Sequence, residues 1–260
     1  AKRVEAMEKT LKEDATKECT KFENKLLIHA ESDTGNLEAE WEEVSSEKIQ
    51  TCREAYSSSF KAAEQQNQDI ACSYYRLPIT DEQAPPPSIV DKFVRLFESS
   101  PSDSVFIFNC QMGRGRTTTG MIVYALWKHK CNLCRIPSVQ STPRKSRSAA
   151  EESSEEKSKE ALINGEYNSV LALLRILPKG KEAKKWCDDV IDVLSHMQNL
   201  RKAIYQMKLR SDKTVSDKSR KMLAHRTQNY LQRYCLLIAF ASYLLSDYKM
   251  PDANAKEDAN

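Results

Sequence analysis

Apolar residues recur along the first half of this chain with two different spacings. Steps of three and four predict helices, over residues 3–19, 48–66, 88–99 and 117–130. Short apolar runs bounded by turn residues predict strands, over residues 25–30, 41–44, 70–79 and 105–109. The last run, "VFIFN", is almost continuously apolar, which is typical of a strand buried on both faces. The alternation favours an α/β fold with a mostly parallel central sheet flanked by helices.

The second half of the chain predicts helices alone, from residue 164 to residue 248. The last helix is the clearest, because its apolar and aromatic residues step by three, four or seven and would form one buried face. This face consists of Leu223, Tyr230, Tyr234, Leu237, Ala241, Leu244 and Tyr248. We therefore predict an all-helical C-terminal part that packs on the core.

The composition changes between these two halves. Residues 138–160, "SVQSTPRKSRSAAEESSEEKSKE", have no apolar periodicity and pass from a basic to an acidic block. We predict four regions: an α/β core with an N-terminal helix, a disordered or loosely helical insertion, the helical part and a disordered tail. Their predicted bounds are 1–137, 138–162, 163–250 and 251–260.

The overall composition is typical of a soluble globular protein. The 260 residues carry 40 Lys and Arg against 37 Asp and Glu, a net charge of +3. This small excess argues against a nucleic-acid-binding protein, which usually carries clustered basic charge. The sequence has neither an apolar run of about 18 residues, as a membrane-spanning helix needs, nor a start like that of a signal peptide. Its 8 cysteines are scattered, as expected of reduced thiols in the cytoplasm.

One cysteine pair, Cys131 and Cys134 in "CNLC", has the spacing of half a zinc site. A structural zinc site needs four ligands, and neither a second C-x-x-C pair nor a pair of spaced histidines follows. We therefore interpret these residues as ordinary thiols, and we expect no metal and no cofactor.

The segment "FNCQMGRGRTTTG" (108–120) contains the strongest candidate for chemistry. If it curls around one point, its backbone N–H groups and the positive end of the following helix dipole would converge there. Arg116 would then close the ring with a planar fork that suits two phosphate oxygens. A Walker-type loop is excluded, because no lysine precedes a threonine here. The segment therefore predicts a phosphate-binding loop, formed by Cys110, Gln111, Met112, Gly113, Arg114, Gly115, Arg116 and Thr117.

The same electrostatic field would favour the thiolate form of Cys110. Helix N-termini and nearby cations lower a cysteine pKa from about 8.5 to roughly 3.5–7.5, and Thr117 is placed to donate a hydrogen bond to the sulfur. A thiolate that faces a bound phosphorus atom is an in-line nucleophile. Such chemistry also needs a proton donor for the leaving oxygen. "LPITDEQAPPP" offers Asp81 at the end of a predicted strand, and we favour it as the acid, with Glu82 as the alternative acid; the other interpretation of Asp81 is a turn or N-cap aspartate.

Two segments, "YYRLPITDEQAP" and "FIFNCQMGRGRTTTG", together resemble the protein-tyrosine-phosphatase superfamily, in particular its phytase-like and paladin-like cysteine phosphatases. Two later segments, "HMQNLRKAIYQMKLR" and "YLQRYCLLIAFASYLL", are similar to helices that follow the loop in these proteins. The resemblance implies the phosphatase α/β fold, a phosphocysteine intermediate on Cys110, phosphate held by Arg116, and Asp81 as acid and then base. It also implies further tandem phosphatase-like repeats in the full-length chain. Asn109 departs from the family, which commonly has a histidine before the nucleophile.

Three functions fit these residues. The first is an active phosphatase on inositol phosphates or phosphoinositides, favoured by the extra cation of Arg114 unless that side chain faces solvent or pairs with a carboxylate. The second is a phosphotyrosine or dual-specificity protein phosphatase. The third is a catalytically silent phosphate-binding pseudophosphatase, which an Asp81 far from the loop would support. The expected partner is a phosphorylated small molecule or lipid head group. The eight basic residues between Arg201 and Lys221 are compatible with contact to an anionic membrane or with a solvated helix face.

Overall fold

The computed structural model of the chain describes residues 2–31, 37–67, 71–132 and 154–249. The chain forms two compact units, Ala1–Pro78 and Ile79–Asn260. The loop that contains Cys110 and the loop that contains Asp81 both belong to the second unit. The four regions predicted from composition, with bounds at 137, 162 and 250, stay a prediction.

The first unit is a pair of helices and a pair of strands. The strands are antiparallel, with Leu27 opposite Trp41. The second helix begins at Cys52, later than the sequence pattern predicts, because Thr51 and Glu54 form a reciprocal capping box there. The elements are α1 Lys2–Lys21, β1 Lys25–Glu31, β2 Leu37–Glu43, a 3-10 turn Ser46–Lys48 and α2 Cys52–Gln66.

The predicted central parallel sheet is not found among the described residues. The sheet that they contain has two strands, β1 and β2. Residues 71–80 and 104–110, which cover most of two predicted strands, form no ladder, and residues 68–70 lie outside the described part. Extended segments become strands only when a neighbouring segment accepts and donates their backbone hydrogen bonds. No such neighbour lies beside these two segments in the part of the chain described.

The run "VFIFN" is extended but is buried on one face alone. Val105 and Ile107 are 86% and 90% exposed, so the prediction of burial on both faces is wrong. The alternate residues, Phe106 and Phe108, turn the other way. Their rings lie 4.9 and 6.0 Å from the ring of Tyr124. This two-residue alternation fixes the direction in which the chain arrives at Cys110.

The second unit is helical throughout its described secondary structure. Residue Thr214 ends one helix, and Ser216 caps the next by accepting a hydrogen bond from the Ser219 amide. The predicted helices over 88–99 and 117–130 are confirmed, and the second begins two residues early. The elements are α3 Pro87–Ser99, α4 Gly115–Lys130, α5 Ser154–Ile163, α6 Asn168–Ile176, α7 Gly180–Val193, α8 Ser195–Gln198, α9 Leu200–Lys213 and α10 Asp217–Ser246.

Helix α10 is the central element of this unit, because it packs against α4, α7 and α9. The apolar face predicted for it is confirmed from Tyr230 to Leu244, whose predicted residues are all buried. Leu223 is not buried, and Tyr248 is buried but follows the end of the helix at Ser246. The core around it is made of aliphatic side chains that are almost fully buried, among them Ile122, Leu126, Ile191, Ile204 and Leu237. Burying side chains of this kind contributes about 1.5–3 kcal/mol each, so α10 is held firmly in place.

A buried polar cluster joins α7, α9 and α10. Tyr234 donates a hydrogen bond of 2.6 Å to Oδ1 of Asp188. Lys184 and Arg201 lie 2.7 and 3.4 Å from the other carboxylate oxygen. Because two cations and a hydroxyl surround it, this largely buried carboxylate has a partner for each of its oxygens.

We expect Tyr234→Phe to lower the free energy of unfolding by about 1.5–3 kcal/mol, the contribution of a hydrogen bond to a charged group. Urea unfolding monitored by circular dichroism measures this loss. Tyr243→Phe is the matched control, since Tyr243 is 46% exposed and should change stability by less than about 0.5 kcal/mol. Equal losses in the two variants would contradict the role of the Asp188 cluster.

Candidate active site

The loop from Cys110 to Arg114 makes a tight bend directly before α4. Gly113 has a φ of +66°, a left-handed conformation that other residues adopt only with strain. The helix begins at Gly115, so Arg116 and Thr117 stand in its first turn. The bend therefore places the cysteine at the positive end of the α4 dipole.

Three backbone amides and one hydroxyl lie near enough to the Cys110 sulfur to favour its thiolate form. The amides belong to Met112, Arg114 and Thr117, and the hydroxyl belongs to Thr117. That hydroxyl is buried and has no hydrogen-bond partner in the structure, so a thiolate at Cys110 would supply the acceptor that it lacks. Burial by itself raises the pKa of Cys110, but these donors outweigh burial and lower the pKa to about 7.

The three consecutive threonines explain how the loop is attached to its helix. The Arg114 carbonyl accepts hydrogen bonds from the amide and the hydroxyl of Thr118, at 2.8 and 2.7 Å. The Thr119 hydroxyl donates to the Gly115 carbonyl at 2.8 Å. Thr117, Thr118 and Thr119 are all buried. Because these side chains bind the loop carbonyls, the amides of the bend stay directed at the sulfur.

Arg116 and Asp81 lie together beside the loop. The Nε atom of Arg116 is 3.2 Å from Oδ1 of Asp81. The contact is electrostatic, because the N–H does not point at the carboxylate. The Arg116 side chain is 25% exposed and the Asp81 side chain 70% exposed, so a ligand would have access to both groups.

Glu82, the alternative acid, occupies a different position. Its carboxylate pairs with Nε of Arg226 at 2.7 Å, and its backbone has a φ of +56°. The left-handed turn at Glu82 separates the directions of the two neighbouring carboxylates. Asp81 is therefore the one that the structure brings to the arginine of the phosphate-binding loop.

The remaining predicted loop residues face outward. Gln111, Met112 and Arg114 are exposed, and Met112 is 75% exposed. Among the described residues, no carboxylate lies within ion-pair distance of Arg114. Pairing of Arg114 with a carboxylate therefore finds no support in the described part of the chain, whereas its exposure is what the solvent-facing alternative expects.

A cavity of about 640 Å³ adjoins the outer side of the loop. Arg114 contributes one cation to it, and His196 and Lys202 contribute from α8 and α9. None of the described residues that line the cavity is acidic. Neither Cys110 nor Arg116 lines it, so the cavity lies beside these two residues. Its lining consists of Met112, Gly113, Arg114, Ser195, His196, Met197, Gln198, Asn199, Lys202, Ala203 and Gln206.

Sequence reasoning missed one residue that touches both loops, Arg233. This arginine lies on the buried face of α10, and its guanidinium donates to the Gln83 carbonyl, two residues after Asp81. It also lies against Gly115, at the start of α4. The sequence does contain a signal for this residue, because it is a charged residue next to Tyr234 in an otherwise apolar helix face. The basic stretch considered in the sequence analysis ended at Lys221 and did not include it.

The expectation about metals stays a prediction. Cys131 is buried, and Cys134 lies outside the described residues. Within residues 2–31, 37–67, 71–132 and 154–249, three or more metal-binding side chains do not cluster. The helices of the same residues include none that combines the length and the apolar character needed to cross a bilayer.

We expect Cys110 to react with iodoacetamide half-maximally near pH 7, since the thiolate forms as the pH rises through the pKa. Thr117→Val should move the midpoint upward by about one pH unit, because a hydrogen bond to a charged group contributes about 1.5 kcal/mol or more. Mass spectrometry of the Cys110 peptide measures the rate. Thr119→Val, whose hydroxyl binds the Gly115 carbonyl instead, should leave the midpoint in place; identical shifts would refute the assignment to Thr117.

Comparison with known proteins identifies the family. A model of the PTP-like phytase family, described as "Inositol hexakisphosphate", matches residues 1–128. The chain is 30% identical to paladin from Danio rerio over 196 residues, which is 69% of this chain and 21% of paladin. It is 31% identical to paladin from Gallus gallus over 66% of this chain and 19% of that protein. No solved structure matches the chain.

These relatives are much longer than this chain, which spans about a fifth of their length. A third relative, paladin from Mus musculus, is 27% identical over 76% of this chain and 22% of its own length. The matched segment of the family model contains both loops described above, including Asp81, Cys110 and Arg116. On these matches, the chain belongs to the protein-tyrosine-phosphatase-like phytase family as a paladin-like, phosphatase-like member.

Proposed function

We propose that this chain is a cysteine-dependent phosphatase that hydrolyses phosphate monoesters, with inositol phosphates or phosphoinositides as its substrates. The observation that carries the proposal is the set of donors around the Cys110 sulfur, which lowers its pKa to about 7. A thiolate is therefore available at neutral pH. The same amides are suited to the oxygens of a phosphate group above the sulfur.

The reaction proceeds in two displacements. The Cys110 thiolate attacks phosphorus, the bond from phosphorus to the ester oxygen breaks, and Asp81 gives its proton to the leaving alcohol. Water then attacks the phosphocysteine, Asp81 takes a proton from that water, and the sulfur–phosphorus bond breaks to release inorganic phosphate. Arg116 and the loop amides stabilise the charge on the phosphate oxygens in both transition states.

The position of Asp81 supports an active enzyme over a silent phosphate-binding module. A silent module was expected to hold Asp81 far from the loop, yet its carboxylate lies 3.2 Å from Arg116. A bound phosphate would take over the Arg116 guanidinium, since a planar fork binds two phosphate oxygens at once. Asp81 would then face the leaving oxygen rather than the arginine.

The cavity beside the loop supports a substrate that carries several phosphates. Arg114, His196 and Lys202 add positive or titratable groups there without an acidic residue among the described lining. Several cations near one phosphate-binding loop suit an inositol polyphosphate or a phosphoinositide head group better than a single phosphotyrosine. The family description supports the same choice.

Two further parts of the proposal concern the setting of the enzyme. We place it in the cytoplasm, which is supported by the seven described cysteines that are free thiols. The peripheral membrane contact is less well supported, because several cations of the basic stretch pair with carboxylates. These pairs are Arg201 with Asp192, Lys208 with Asp212, and Arg220 and Lys221 with Asp217.

Cys110→Ser is expected to lower kcat by about 10³-fold or more, because the hydroxyl is not ionised at neutral pH. Asp81→Asn should lower kcat by about 10²–10⁴-fold on an alkyl phosphate such as phytate. It should lower kcat much less on p-nitrophenyl phosphate, whose leaving group needs little protonation. Release of inorganic phosphate measures both rates. Glu82→Gln is the control for Asp81, and a greater effect of Glu82→Gln would exchange the roles of the two acids.

Lys202→Gln is expected to lower kcat/KM for phytate relative to kcat/KM for p-nitrophenyl phosphate by about tenfold, the effect of losing about 1.4 kcal/mol of binding. The charge-matched control is Lys213→Gln, an exposed position on the same helix outside the cavity lining. Steady-state kinetics at constant ionic strength measure the ratio. If both variants change it equally, the cavity does not bind the additional phosphates.

A further inference from the structure

Arg233 is an unusually placed cation for the middle of a buried helix. It is 1% exposed, although Arg is almost never fully buried unless it is paired. The described residues contain no carboxylate that forms an ion pair with it. Its immediate surroundings are the ring of Tyr230, 5.1 Å from the guanidinium carbon, and two loops of the site.

The guanidinium of Arg233 contacts those two loops with different atoms. Nη2 and Nε donate to the Gln83 carbonyl at 2.9 and 3.3 Å. Nη1 points to the other side, where a Cβ atom at Gly115 would lie 3.0 Å away. A Cβ atom at Gly115 would therefore require the Arg233 guanidinium to move by a few tenths of an ångström.

This arrangement costs stability rather than providing it. Burial lowers the pKa of Arg233, which means that the environment disfavours its charge. Nη1 is buried without a hydrogen-bond partner, and an unmade buried hydrogen bond costs about 1–3 kcal/mol, more for charged groups. An apolar side chain of similar volume would avoid these costs. The benefit of an arginine at this position must therefore come from the groups that its guanidinium holds in place.

A second arginine on α10 holds the neighbouring residue of the same loop. Arg226, two helical turns before Arg233, pairs with Glu82 at 2.7 Å. The two arginines therefore bind consecutive residues, Glu82 and Gln83, directly after Asp81. Arg226 is partly exposed, so its contact is weak in water, whereas the contact of Arg233 is shielded from solvent.

We propose that Arg233 is the positioning residue that fixes the acid loop, residues 80–83, against the phosphate-binding loop. Its rigid guanidinium donates to the Gln83 carbonyl and packs against the start of α4, and it thereby sets the distance between Asp81 and the leaving oxygen. Nη1 is buried, so Arg233 does not itself touch the substrate. This inference rests on the proposed function, because a proton donor needs accurate placement only where a leaving group must be protonated.

The test compares Arg233→Met, which keeps the length and removes the donors, with Arg233→Lys, which keeps the charge and removes the fork. In both variants, kcat on phytate should fall at least ten times more than kcat on p-nitrophenyl phosphate, because proton donation matters chiefly for the poor leaving group. The pH midpoint of Cys110 alkylation should stay where it is. Lys218→Gln, exposed and on the same helix, removes a charge elsewhere and should leave the ratio of the two rates unchanged.

A second measurement does not depend on activity. Hydrogen–deuterium exchange of the amides of residues 80–84 should be at least tenfold faster in Arg233→Met, while the amides of α10 stay protected. The melting temperature of this variant should be unchanged or higher. Equal falls of kcat on both substrates, or unchanged exchange in residues 80–84, would overturn the assignment of Arg233.

The two proposals fail in different ways. If Cys110→Ser retains the wild-type rate, the phosphatase mechanism is wrong, and the exchange of residues 80–84 still decides whether Arg233 holds the acid loop. If Cys110→Ser is inactive but Arg233→Met and Arg233→Lys keep the wild-type ratio of rates, the phosphatase stands and the positioning role of Arg233 is wrong. Should Arg233→Met fail to fold, Arg233→Lys alone gives both readouts.

Discussion

Backbone N–H groups directed at one sulfur atom are the interaction on which the rest of this site depends. A thiolate below the protein surface needs donors around it, since burial alone would keep it protonated. The amides of Met112, Arg114 and Thr117 meet this need. The left-handed Gly113 bends the chain so that they converge, and the threonines of α4 hold the loop carbonyls away from the sulfur.

Around this loop, the positively charged side chains of the second unit outnumber the negatively charged ones among the described residues. Arg116 lies beside Asp81 and Arg226 beside Glu82, while Arg233 contacts a neutral carbonyl. Three guanidinium groups thus stand near two carboxylates in the described part of this region. This excess of positive charge favours a phosphate anion, and because the groups are already in place, little reorganisation would be needed when charge develops in the transition state.

The elements near the site could be predicted because their signals are local. Consecutive residues carry the loop from Cys110 to Thr117, and a spacing of three and four residues predicts α3, α4 and α10. The sheet could not be predicted in the same way. Val105 and Ile107 have the apolar character of a buried strand, yet a strand also needs a neighbour, and burial depends on what packs against each face. Phe108 packs against Tyr124, whereas Ile107 is exposed to solvent.

By itself, the sequence determined which cysteine is the candidate nucleophile, which arginine belongs to its loop and where a suitable acid stands, because each belongs to a short segment whose chemistry follows from adjacent residues. Only the tertiary structure decided that Asp81 rather than Glu82 lies beside Arg116, and that Arg233 lies between Gln83 and Gly115. The physical reason is distance along the chain. Gln83, Gly115 and Arg233 meet only because α10 packs across the unit, and contacts between such distant segments leave no periodic pattern in the residues that make them.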